Sequence, residues 1–164
     1  MKFKLSLVFI LIFFLMSCSS TYKTSINRTD KDAALKAVIN ISDINTLKDV
    51  AIKAYYSNIR AEALIRIDDQ AFLKDRFEKD PKIPIKFLLA KKITDISFHA
   101  KQAMNKYLPE SIRLICAKKI KSQEVLVKIV KSTRNVALAR YTADRILPKN
   151  AVLILKNIKD SNYL

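Results

Sequence analysis

Ile59-Arg60-Ala61-Glu62-Ala63-Leu64-Ile65-Arg66-Ile67-Asp68-Asp69 marks a repeat, because Ile85-Lys86-Phe87-Leu88-Leu89-Ala90-Lys91-Lys92-Ile93-Thr94-Asp95 has the same pattern 26 residues later. The isoleucine of this pattern recurs at Ile41, Ile67, Ile93, Ile120 and Ile146, at spacings of 26, 26, 27 and 26. The residues before it keep their character: Ala33, Ala37, Val38; Ile59, Ala63, Leu64; Ile85, Leu89, Ala90; Ile112, Cys116, Ala117; Leu138, Thr142, Ala143. Offsets of four, one and three place each set on one side of a helix. A small residue in the middle lets neighbouring helices approach. A second position follows the same period, at Leu47, Leu73, His99, Leu126 and Val152. The expected fold is all-α: an α-solenoid of about five stacked helix-turn-helix repeats of ~26 residues, about ten short helices in all.

The punctuation agrees. Ser42-Asp43, Asp68-Asp69, Thr94-Asp95 and Lys121-Ser122 follow the stripe, and their side-chain oxygens can accept from the first amides of the next helix. Pro109 and Pro148 stand where a helix opens, a position that does not need proline's missing N–H. No segment alternates apolar and polar residues between turn signals, as a strand would.

These segments resemble short HEAT-like repeats over roughly residues 31–159. The resemblance implies a basic residue early in the second helix, here Arg60, Lys86 and Arg113, bridging the turn aspartates Asp43, Asp69 and Asp95. It weakens in the fifth unit, where Ala139 and Pro148 hold these places, as in a terminal cap. It implies a curved binding scaffold rather than an enzyme, and it names no ligand.

The N-terminus supplies an address. Lys2 and Lys4 precede an apolar run from Leu5 to Met16, followed by Ser17, Cys18, Ser19 and Ser20. Twelve helical residues reach only ~18 Å, short of the ~30 Å hydrocarbon core, so the run reads as an export signal rather than a span. Leu15-Met16-Ser17-Cys18 resembles the bacterial lipobox, which implies cleavage before Cys18 and acylation of its thiol. An ordinary secretory signal and an uncleaved signal anchor are the competing readings. Residues 1–17 are thus the lipoprotein signal, 18–29 the lipidated cysteine with a polar flexible tether, and 30–164 the repeat domain. Ser19, rather than aspartate, resembles the signal for transport onward to the outer membrane where the cell has one.

Composition narrows the chemistry. There is no glycine, so no glycine-rich phosphate loop exists. His99 is the only histidine and is read as partly buried and structural, since no second imidazole or thiol is at hand to build a zinc site. Once Cys18 is acylated, Cys116 has no disulfide partner and reads as a small buried hydrophobe. The aspartates, one repeat apart, are too far separated for paired acid–base work. The expectation is no cofactor, no metal and no catalytic residue.

The net charge of +16 is uneven: residues 18–80 carry 11 basic and 10 acidic side chains, residues 81–164 carry 18 and 5. Arg66, Lys92, Lys119 and Arg145, each just before a marker isoleucine, with Lys91 and Lys118 one place earlier, form a candidate ladder for an anionic ligand, ~10 Å apart in a stack. An ordinary solvated face in a lysine-rich composition is the competing reading. Nucleic acid is not an expected partner, because the chain is exported and Phe72, Phe77, Phe87 and Phe98 sit at core-like positions rather than between surface lysines. The functional expectation is a lipid-anchored scaffold for a protein partner at a bacterial envelope. The alternatives are a basic binder of anionic lipid or envelope glycan, and an accessory subunit of an envelope enzyme.

Overall fold

A computed structural model describes residues 22–24 and 30–148. Among the described residues every regular element is an α-helix: α1 (Lys31–Ile39), α2 (Ile44–Lys53), α3 (Ser57–Ile65), α4 (Gln70–Lys79), α5 (Ile83–Lys92), α6 (Ile96–Met104), α7 (Glu110–Lys119), α8 (Gln123–Ser132) and α9 (Val136–Ala143). The chain divides into two compact units, Met1–Leu89 and Ala90–Leu164, inside the stretch expected as one repeat domain. The signal, Cys18 and Val152 lie outside the described residues.

The stripe is the core. Ile59, Ala63, Leu64 and Ile67 are fully buried in the first unit, as are Ile112, Cys116, Ala117 and Ile120 in the second. Burying a side chain such as Ile or Leu contributes roughly 1.5–3 kcal/mol, so a repeated four-residue stripe suffices to hold a short helix that would melt alone. The pattern fades at its ends: Ala33 is half-buried and Ala143 exposed, because each belongs to the first or last described helix carrying the stripe. Leu47, Leu73, His99 and Leu126 are buried at the second recurring position. Phe77 and Phe98 are buried, Phe72 and Phe87 half-buried.

Helices start as the turn residues dictate. Asp43 accepts from the Thr46 amide at 2.6 Å, Asp69 from Phe72 at 3.1 Å, Asp95 from Ser97 and Phe98 at 2.9 and 3.1 Å, and Ser122 from Val125 at 3.4 Å. Asp30 and Asn135 cap α1 and α9 in the same way. The Thr46 hydroxyl and amide hold the Asp43 carboxyl below the ordinary carboxylate range.

Helix ends are unusual, and the missing glycine explains why. A helix normally leaves its last carbonyls to a left-handed residue, usually glycine, whose turned-back amide satisfies them. No described residue has a positive φ; Ala54, Asp80, Asn105, Ile120 and Thr133 pass directly into extended backbone. The carbonyls instead receive cationic side chains from a neighbouring helix. Arg60 on α3 donates to the Ala54 and Tyr55 carbonyls after α2 at 2.9 and 3.1 Å. Lys86 on α5 donates to Phe77 and Glu78 at the end of α4. Arg113 on α7 donates to Ala103 at the end of α6 at 2.9 Å, and to the Thr133 hydroxyl after α8 at 3.1 Å.

This corrects the expectation that Arg60, Lys86 and Arg113 bridge Asp43, Asp69 and Asp95. Arg60 does bind a carboxylate, but it is the buried Asp80, at 2.8 and 3.3 Å. Asp69 pairs with Lys48 at 2.6 Å. The turn aspartates face helix N-termini, whereas the cations serve helix C-termini, where their charge also meets the negative end of the dipole.

Residues 22–24, within the stretch expected as a flexible tether, are helical. The Tyr22 hydroxyl donates to Asp49 Oδ2 on α2 at 2.9 Å, so the segment is pinned there. The tether's other residues, 18–21 and 25–29, lie outside the described ones.

Candidate functional site

The candidate ladder starts from side chains at the C-terminal ends of α3, α5, α7 and α9, and the structure gives several of them work inside the chain. In the first unit, Arg66 donates through Nη1 to the Val38 and Ile39 carbonyls at 2.8 and 3.1 Å and through Nη2 to Ile41, closing the end of α1. In the second unit, Arg145 donates to Ala117 and Ile120 at 2.8 and 2.5 Å, closing α7. Lys119 Nζ reaches the Lys91 carbonyl near the end of α5 at 3.2 Å. Each partner lies 25 to 28 residues earlier in the chain. A guanidinium suits the task because its rigid fork presents parallel donors to adjacent carbonyls.

Lys118 and Arg145 flank Tyr141, with the cationic groups 5.8 and 5.4 Å from its ring centroid. Lys91 and Lys118 are exposed and Lys92 is half-buried. In the second unit Lys119 and Arg145 thus sit at helix ends, against carbonyls whose partial charge they neutralise.

A different feature of the second unit is an open surface groove. Along α6, Ile96, Ala100 and Met104 follow one another at intervals of four, on the side away from buried Phe98 and Gln102. With Val125 of α8 they line an open groove whose walls are mostly apolar, edged by Ser97, Lys101 and Asn105. Ile96 is 51% exposed and Met104 37%. Contiguous apolar surface on the outside of a helix mattered less to the fold than the stripe, so sequence reasoning passed over it. The four-residue spacing was its signal.

His99 and Cys116 lie away from any surface chemistry. His99 is fully buried, with Nε2 2.8 Å from the Ile93 carbonyl, which makes that nitrogen the donor. Its Nδ1 is buried without a hydrogen-bond partner. Desolvation lowers the imidazole pKa and outweighs the Ile93 bond, so the ring is neutral. Burial pushes the Cys116 thiol up to about 12, which keeps it from being a nucleophile at neutral pH. No group of three or more potential metal-ligating side chains occurs among the described residues. Compared with known proteins, the chain matches no family model, no curated protein and no solved structure.

Proposed function

We propose that this chain is a lipid-anchored helical-repeat adaptor at a bacterial cell envelope, held by acylated Cys18, which binds a protein partner in the groove between α6 and α8. The observation that carries the binding half is the Ile96, Ala100, Met104 and Val125 surface, apolar side chains exposed at helical spacing where a partner's helix can lay its own apolar face. Lys101 edges the groove and residues 81–164 carry 18 basic against 5 acidic side chains, which favours a partner helix with acidic flanks. The anchor half rests on Leu15-Met16-Ser17-Cys18.

Stacked HEAT-like repeats fit the helix pairings inside each unit. Neighbours in a hairpin pack together (α2 on α3, α6 on α7, α8 on α9), and so do helices one period apart (α1 on α3, α6 on α8, α7 on α9). The alternative, a binder of anionic lipid or glycan through Arg66, Lys91, Lys92, Lys118, Lys119 and Arg145, asks three of its six cations to leave backbone carbonyls.

In-cell photo-crosslinking tests the reading. A benzophenone amino acid at Ala100 in the full chain should give one discrete protein adduct that Met104→Asp abolishes, while the same group at exposed Lys131 gives none. An adduct at Ala100 that survives Met104→Asp, or no adduct there at all, rejects the groove.

A further inference from the structure

Tyr22 stands only four residues after Cys18, and it is fastened to the outside of α2. Its hydroxyl shares Asp49 Oδ2 with Lys53, whose Nζ lies 2.6 Å from that oxygen, 3.4 Å from the hydroxyl and 6.0 Å from the ring centroid. Asn45 and Thr46 complete the pocket around the tyrosine. On α2, Asn45, Asp49 and Ile52 follow at offsets of four and three, opposite buried Leu47, Val50 and Ala51, so the tyrosine lands on the outward side.

We propose that this outward face of α2, with Ile52, Lys53 and the neighbouring Tyr55, lies against the lipid bilayer, and that the Tyr22–Asp49 hydrogen bond holds it there. The proposal rests on the reading that Cys18 is acylated. Its first support is chain length. Four residues span at most about 14 Å, so an acylated Cys18 keeps Tyr22 within that distance of the membrane, about twice the depth of one headgroup layer. Outside residues 22–24, no described part of the first unit is held so close by covalent connection, because the chain is next described at Asp30.

Its second support is chemistry. Ile52 is 49% exposed and Tyr55 57%, the latter edge-on to Tyr56 at 5.1 Å. An exposed aliphatic residue and a tyrosine suit the bilayer interface: the apolar groups enter the acyl boundary and the phenol stays among headgroups. The one carboxylate on this face would repel an anionic surface, but Asp49 is held ionised against Lys53 and Tyr22, and Lys53 supplies the compensating charge. Fixing this face against the membrane gives the first unit one orientation instead of a free swing.

The test uses full-length protein purified from the membranes of a lipoprotein-processing host, with the acyl group on Cys18 verified by intact mass. Buried Cys116 leaves a single-cysteine label to Ile52→Cys or, for comparison, to exposed Lys36→Cys on α1. In vesicles of phosphatidylethanolamine and phosphatidylglycerol carrying a headgroup nitroxide, a fluorophore at position 52 should be quenched ~2-fold or more above one at position 36. Tyr22→Ala, which leaves the anchor intact, should bring the two positions together. Equal quenching in the acylated wild type overturns the docking face while the anchor stands, the result expected if that face meets a protein instead. A preference for position 52 unchanged by Tyr22→Ala overturns the latch. Absence of the acyl mass removes the anchor and this proposal with it.

Discussion

Arg66→Met removes the guanidinium but keeps most of the aliphatic stem, so it isolates the capping of α1 from packing. Three carbonyls lose a charged donor: Val38 and Ile41, each part-buried, and Ile39, which water can reach. A hydrogen bond to a charged group contributes about 1.5–3 kcal/mol net, and solvent recovers most of it at the exposed carbonyl and some at the other two. The expected loss is about 2 kcal/mol, a fall in Tm of roughly 6–12 °C at ~3–6 °C per kcal/mol for a domain of this size. Arg66→Lys should fall between, since one ammonium cannot reach all three oxygens with the same fork. Urea and thermal unfolding of the chain from residue 19 onward, followed by circular dichroism, measure both. A loss under ~0.5 kcal/mol, the ordinary range for a surface substitution, would mean that Arg66 is merely a solvated charge and that the capping account is wrong.

Asp80→Ala strands the buried Arg60 guanidinium and should cost ~3 kcal/mol or more in the same unfolding assay, far above the loss from Asp75→Ala, whose pair with Lys79 is exposed. His99 gives a pH test: the unfolded imidazole titrates near 6.5 while burial lowers the folded value, so below about pH 6.5 the unfolded state takes a proton that the native state refuses. Stability is full above that pH and declines below it, by up to ~1.4 kcal/mol per pH unit until the folded ring titrates too. Because the chain has no other histidine, His99→Leu should flatten that decline and raise stability at pH 5; an unchanged slope would place its cause elsewhere. Ala117→Leu, at a fully buried position of the stripe, should overpack by ~1–3 kcal/mol. Cys116 should resist a thiol reagent at pH 8 in the folded chain and react on unfolding, and fast labelling without denaturant would contradict its burial.

The repeat and the helix starts were legible because both are local. The stripe Ile112, Cys116, Ala117 and Ile120 lies within nine residues, and Asp43 caps an amide three residues away, so spacing alone expresses the physics. The C-terminal caps were not legible from the same evidence. Arg145 meets carbonyls 25 and 28 residues earlier, and whether its side chain turns back to them or out to solvent depends on how two helices pack. The absent glycine was the available clue, since helices without left-handed ends need donors from somewhere. In the sequence Arg66, Lys119 and Arg145 read as a ladder, and the structure sets each against carbonyls at a helix end. Asp80 and Tyr22 were missed for a related reason: a single polar residue shows its partner only after folding brings it 20 or 27 residues across the chain.

The adaptor account depends most directly on what becomes of Cys18, so metabolic labelling with an alkyne fatty acid is its sharpest measurement. Expressed in a bacterial host, the full chain should take up the label and fractionate with membranes as a mature form beginning at residue 18, while Cys18→Ala takes up none and accumulates as precursor or mislocalised protein. A mature wild-type chain that is soluble and unlabelled would contradict the account, leaving a helical protein with an apolar groove and no anchor.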